Sequence, residues 1–151
     1  MKVSAKASAR ADLQSLPGHG IRRLHQIAVA IFMEETADDP VTPVQYAVLH
    51  TLADNPGIDQ RTLARLVSFD TSTIGGVIDR LEARGALTRS HSDGDRRVRL
   101  LHLTPEGEAT LADSMAAMNR AQVRMLDPLS AAERKNFMKM LQRVIGHHEE
   151  K

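Results

Sequence analysis

The sequence predicts a mainly α-helical domain with one small β-hairpin, and three observations carry that expectation. Apolar residues recur at three- and four-residue spacing along six stretches, which is the period of an amphipathic helix. Between residues 87 and 103 that period gives way to two short strand-like runs around an Asp-Gly pair. The 151 residues suit one domain, and a hydrophobic share of 42% is enough for a packed core.

Composition narrows the reading. Aromatics make up only 3% and Trp is absent, so the core must be aliphatic, with Leu, Ala, Val, Ile and the seven Met residues filling it. The net charge of +1 gives little global attraction to a polyanion, so a nucleic-acid binder of this composition must cluster its Arg residues locally. No Cys is present, which removes disulfides, thiolate metal sites and cysteine redox sensing. The start, MKVSAKASARADLQSLPG, is basic but has no apolar run of signal-peptide length, and no stretch approaches a membrane span. A cytoplasmic location without a membrane partner is expected.

Taken in order, residues 1–18 are rich in Ala, Ser and Lys, end in Pro17-Gly18, and read as a flexible arm. Disorder and a basic contact arm both fit it. Residues 19–35 form a helix with Ile21, Leu24, Ala28, Ile31 and Phe32 on one face. His25 shares that face, while Arg22 and Arg23 point elsewhere. This helix is too apolar to stand alone and must pack on something distant in sequence, such as a second subunit.

Thr42-Pro43-Val44-Gln45 starts the second helix: Thr42 caps, Pro43 fits the first position and Gln45 closes a capping box. It buries Val44, Val48 and Leu52 and stops at Asn55-Pro56-Gly57. Asp59 caps a short helix, about 60–67, with Leu63, Leu66 and Val67 inward. Ser68-Phe69 turns the chain, and Asp70 caps a longer helix, about 71–84. Ile74, Val77, Ile78 and Leu81 are its buried stripe, and Gly85 stands where a left-handed cap is wanted.

Strands are expected at 87–90 and 98–103, joined through Ser92-Asp93-Gly94-Asp95 with Asp93-Gly94 as the hairpin signal. Thr104-Pro105 then starts a long helix, about 106–126, broken by Asp127-Pro128. Ser130-Ala131-Ala132-Glu133 is a second capping box, opening a last helix to about residue 145.

Two helices joined by a tight turn let the second lie in the DNA major groove while the first braces it. That second helix needs a small, polar outer face. Ser72, Thr73 and Gly76 supply it, with Thr hydroxyls to donate and bare backbone for close approach; Arg80, one heptad beyond Thr73, can reach guanine or phosphate. The hairpin carries Arg89, Arg96, Arg97 and Arg99, and a narrow minor groove attracts an inserted Arg. Asp93 and Asp95 partly offset these charges, and Asp95 is placed to orient an Arg through a bidentate pair. Alone, the helix fits an ordinary solvent-facing helix and the hairpin a solvated turn. Together, in this order, they describe a winged helix-turn-helix.

Here the chain resembles a known family. Asp95-Arg96-Arg97-Val98-Arg99-Leu100-Leu101-His102-Leu103-Thr104-Pro105-Glu106-Gly107 is similar to the wing signature of MarR-type regulators: D-x-R, an aliphatic run, then L-T-x-x-G. Ile78-Asp79-Arg80-Leu81-Glu82-Ala83-Arg84-Gly85 resembles the end of their recognition helix, and Thr42-Pro43-Val44-Gln45-Tyr46 the start of their second helix. The resemblance implies one unit over 19–148, with a reading head at 42–104 and dimerisation helices at 19–36 and 105–148. It also implies a homodimer on a palindromic double-stranded DNA operator, released by a small ligand, often an aromatic acid. By position, Arg97 would be the wing-tip Arg, Asp95 its partner, and Thr71, Ser72 and Thr73 would meet the major groove. Leu16-Pro17-Gly18-His19, Ile21-Arg22-Arg23-Leu24-His25-Gln26 and Gly57-Ile58-Asp59-Gln60 are further similar to repressors of nicotinic-acid catabolism. That likeness implies nicotinate or 6-hydroxynicotinate as effector.

A carboxylated ring needs a cation or strong donors beside an apolar slot. His25 and Tyr46 are candidates, with Arg23 and His50 behind them, although a His or Tyr on an apolar face is more often plain core. Zinc control is the rival, since some relatives of the resembled family bind zinc. However, His147 and His148 are adjacent and diverge on a helix, and no H-x-x-x-H pair occurs. No metal site or cofactor is expected. Nor is an enzyme, because no G-x-S-x-G, phosphate loop or catalytic Cys is present.

Overall fold

The computed structural model describes residues 12–150, so the first eleven positions of the expected arm lie outside the described residues. The rest of that arm carries regular backbone elements. Leu13–Ser15 is a 3-10 turn, and the first helix, α1 (Pro17–Glu35), starts two residues early because Pro17 takes its first turn. There follow α2 (Pro43–Asp54), α3 (Gln60–Leu66), α4 (Thr71–Ala83), β1 (Leu87–His91), β2 (Arg99–Leu103), α5 (Pro105–Met125) and α6 (Ala131–Glu149).

The caps behave as the side chains dictate. Thr42 and Ser130 each complete a capping box with the residue three positions on, Gln45 and Glu133. Asp59 and Asp70 each accept the backbone N–H three residues ahead. The last helix runs four residues beyond the expected end, to Glu149.

The core is aliphatic. Val48, Leu49 and Leu52 of α2, Leu63 of α3, and Ile74, Ile78 and Leu81 of α4 are sealed against Leu87 and Leu101 of the hairpin, with Phe32 from α1. Two expectations fail here. No Met is fully buried among the described residues, and Met115, Met138 and Met140 are exposed on α5 and α6. Leu66 is 52% exposed, and Ala64 takes its inward place. The helix stops at Leu66: Ser68 adopts a left-handed φ of 59°, and the Phe69 N–H donates back to the Ala64 carbonyl at 2.9 Å.

The hairpin is antiparallel, with Leu87 opposite Leu103 and Arg89 opposite Leu101. An unforeseen third segment joins it. Gly57 N–H donates to the Leu101 carbonyl and Leu101 N–H to the Ile58 carbonyl, with a bridge between Asp59 and Leu100. The hairpin is thereby fixed to the entry of α3.

Two contacts join this head to the outer helices. Thr104 donates from its hydroxyl to the Gly85 carbonyl, and Gly107 lies so close to Ala86 that a Cβ there would sit 1.9 Å from the Ala86 oxygen. Only Gly permits that approach. Between α1 and α5, Arg120 donates to Glu35 at 2.7 Å and Arg124 to Glu35 and Glu34 at 2.9 and 2.8 Å. These guanidinium bonds, Arg120 first, hold the Glu35 carboxyl below its ordinary value. Helix α6 buries no residue within the chain. Among the described residues, no helix is long and apolar enough to cross a membrane.

Candidate nucleic-acid interface

Helices α3 and α4 make the expected helix-turn-helix, and the hairpin stands beside α4. Between α4, the start of α3 and the hairpin lies an open concavity of about 1000 Å³. Thr71, Gly75 and Asp79 of α4, Arg61 of α3 and Arg97 and Arg99 of the hairpin line it. Asp59, Asp79 and Asp95 share its wall with four Arg residues, so the cations open to a duplex backbone are chiefly those of the wing, Arg97 and Arg99.

The N-terminus of α4 is locked by its cap. Asp70 accepts the Thr73 N–H at 2.8 Å, the Ser72 hydroxyl at 2.6 Å and the Thr73 hydroxyl at 2.7 Å. Those bonds, the Ser72 hydroxyl foremost, keep its carboxyl far below the usual carboxylate range. The Ser72 and Thr73 hydroxyl hydrogens are therefore directed at Asp70, whereas the sequence reading has Thr hydroxyls donating to DNA. The two side chains present oxygen lone pairs and the Thr methyl instead. Thr71, Ser72, Thr73 and Arg80 are exposed. Gly76 is half-buried, and a Cβ on it would meet nothing within 4 Å inside the chain.

The wing tip also differs from expectation. Gly94 is not among the residues with positive φ, so Asp93-Gly94 does not form a two-residue hairpin turn. The chain turns instead at residues 95–98, where the Val98 N–H donates to the Asp95 carbonyl and Arg96 and Arg97 are central. Asp95 drives the change, because its carboxylate accepts the Arg97 backbone N–H at 2.9 Å. The bidentate Asp95–Arg97 pair is not formed. Arg97 Nε lies 3.5 Å from one oxygen, and its side chain is 94% exposed. His91 Nδ1–H donates to the Arg96 carbonyl at 2.9 Å and steadies the same tip. Arg96 and Arg99 are exposed, Arg99 opposite His91 on the strands.

Arg89 behaves differently. It lies opposite the buried Leu101 on the core-facing side of β1, and its side chain is 16% exposed. It pairs with Asp79 and, at 3.8 Å, with Glu82 of α4. The alternation of β1 held the signal, since Leu87 and Arg89 share a face.

The four ligand candidates are only partly brought together. Tyr46 is half-buried, its ring centroid 5.9 Å from that of Phe32 and 5.8 Å from that of His50. Burial raises the Tyr46 hydroxyl pKa. His50 also faces Asp54 at 3.5 Å. His25 and Arg23 are exposed on α1. Among the described residues, no group of three His, Cys, Asp or Glu is placed to hold a metal.

A capped reading helix and an Arg-bearing wing beside it define a winged helix-turn-helix DNA-binding protein. The comparisons with known proteins then supply the family. The MarR family model matches residues 41–98. The transcriptional regulator HosA of Escherichia coli is 34% identical over 128 residues, 85% of this chain and 93% of HosA. The HTH-type transcriptional repressor NicR of Pseudomonas putida is 30% identical, covering 91% of this chain and 87% of NicR. A solved structure of Bordetella bronchiseptica BpsR, whose DNA binding is regulated by 6-hydroxynicotinic acid, superposes with a TM-score of 0.82 at 32% identity, over 88% of this chain and 95% of that one. The chain belongs to the MarR family of transcriptional regulators.

Proposed function

We propose that the chain is a homodimeric repressor that holds a palindromic operator and is released by a small aromatic or pyridine carboxylic acid. The observation that carries the DNA-binding half is the freely exposed Arg97 at a turn whose backbone Asp95 fixes, beside a capped α4 with a small-residue outer face. Arg97, with Arg96 and Arg99, enters a minor groove, while Thr71, Ser72, Thr73, Gly76 and Arg80 face the major groove.

The second copy is argued from α6. Met138, Leu141 and Ile145 fall at three- and four-residue spacing and are exposed, on a helix that buries no residue among the described ones. A helix of 19 residues with such a face gains its stability from packing. Two copies joined there place two reading heads on successive major grooves, roughly 34 Å apart.

The effector is argued from the likeness to BpsR, whose DNA binding 6-hydroxynicotinic acid regulates. The half-buried Tyr46 beside Phe32 and His50 supplies an aromatic wall and a donor. His25 and Arg23 complete the site if the partner's helices close over α1. Release follows when the acid favours a spacing of the heads that the operator does not match.

The test is a DNA-binding titration on the region upstream of the chain's own gene, with nicotinate, 6-hydroxynicotinate and benzoate as competitors. Release by a pyridine carboxylate is expected. Tight binding that none of them disturbs would remove the effector assignment and leave the DNA reading standing.

A further inference from the structure

The core-facing side of β1 carries a charge where the alternation calls for an apolar residue. Arg89 lies opposite the sealed Leu101, is 16% exposed, and its Nε is buried without a hydrogen-bond partner. A buried guanidinium is costly unless carboxylates compensate it. Here both come from α4: Asp79 and Glu82 stand three residues apart on one face of that helix.

This clamp is the ion-paired link between wing and recognition helix among the described residues, and Asp79 and Arg89 both line the concavity beside α4. The remaining Arg residues of the wing, at 96, 97 and 99, are exposed and contact no residue of α4 through a charged pair. We propose that Arg89 is a positioning residue for DNA recognition. Its guanidinium, held between Asp79 and Glu82, sets the angle between wing and recognition helix, so that Arg97 reaches the duplex while α4 occupies the major groove. The proposal rests on the wing reading above and adds the element that aims the wing.

A planar, forked cation suits this place better than Lys. Arg presents several N–H groups in fixed directions and can address two carboxylates at once, whereas an ammonium is a point charge on a flexible stem. Loss of the fork frees the wing to swing on its strand ends, and a misplaced Arg97 loses most of its contact.

The test measures binding of the full-length chain to a duplex recovered by binding-site selection with the wild-type chain. Arg89→Met keeps the stem and removes the fork; affinity is expected to fall about tenfold, and adding Arg97→Ala to it costs little more, because contacts that depend on one another are not additive. Arg89→Lys should recover only part of the loss. The Asp79→Asn/Glu82→Gln pair breaks the clamp from the other side and also serves if Arg89→Met fails to fold. Removing two negative charges near DNA would raise affinity if the clamp were idle. A fall therefore supports positioning, and a rise overturns it, as would full additivity of Arg89→Met with Arg97→Ala. Unchanged binding by Arg97→Ala alone would instead sink the wing reading, and with it any need to aim the wing.

Discussion

Gly76 separates folding from recognition more cleanly than any other position on α4. Inside a helix Gly costs about 0.5–1 kcal/mol relative to Ala through lost backbone entropy. Gly107 resists substitution because Ala86 crowds it, but a Cβ at position 76 would meet nothing within 4 Å. The chain's own packing gives no reason for Gly there, which fits the proposed approach of DNA to that face. Gly76→Ala is expected to raise Tm, by roughly the helix-propensity gain, and to weaken DNA binding severalfold because the backbone can no longer approach the bases. Thermal unfolding and a binding isotherm on the same preparation check both halves. A stabilised variant that binds DNA unchanged would take Gly76 out of the interface. The small, polar face of α4 was legible from residue types alone. The commitment of the Ser72 and Thr73 hydroxyls to Asp70 was not, because a hydroxyl's partner depends on how it is turned and not on its spacing in the sequence.

At the scale of elements, the helices were legible wherever a cap and an apolar period agree, as at Thr42, Asp70, Thr104 and Ser130. The wing was legible in position but not in turn. Asp93-Gly94 is a local signal, yet Asp95 captures the Arg97 N–H and draws the tight turn three residues on. The third strand segment at Gly57–Asp59 was invisible, since its pairing with β2 links residues some forty positions apart and leaves no local pattern. So was the α1–α5 junction, whose partners lie far apart in sequence. That junction carries a pH prediction. Arg120, and then Arg124, depress the Glu35 carboxyl below its ordinary 4.5. A group whose pKa is lower in the folded chain stabilises it above the unfolded value, and that contribution is lost as pH falls through the folded value. Wild type is therefore expected to exceed Glu35→Gln in Tm at neutral pH, with the gap closing as pH drops below 4.5. A gap that persists unchanged at low pH would mean that the cluster acts through packing and not through charge.

For the molecule as a whole, the distribution of exposed apolar side chains is uneven in an informative way. Apart from Leu66 and Phe69 at the helix-turn-helix, the large exposed hydrophobics lie on α1, α5, α6 and the turn before α1, including Ile27, Val123, Leu141, Val144 and Ile145. Such a distribution fits the homodimer proposed above, in which a second copy would bring a matching face. Exposed Met side chains there add an adaptable surface in place of the core filling that composition suggested. If folding and association are one event, dilution must destabilise the chain. A hundredfold fall in concentration is worth about 2.7 kcal/mol per mole of dimer, which corresponds to about 4 °C in Tm for an assembly of this size. Leu141→Asp puts an unpaired charge at the centre of the α6 stripe and should yield a monomer, or a chain that folds only at high concentration. Its reading head is untouched, so it should retain weak binding to one half-site while losing the gain from the second. That gain is an effective concentration supplied by the rigid link between the heads. Sedimentation and binding to duplexes carrying one or two half-sites read both effects. If the variant still sediments as a dimer with full affinity, then α6 is not the seam and the apolar faces of α1 and α5 must close the assembly without it.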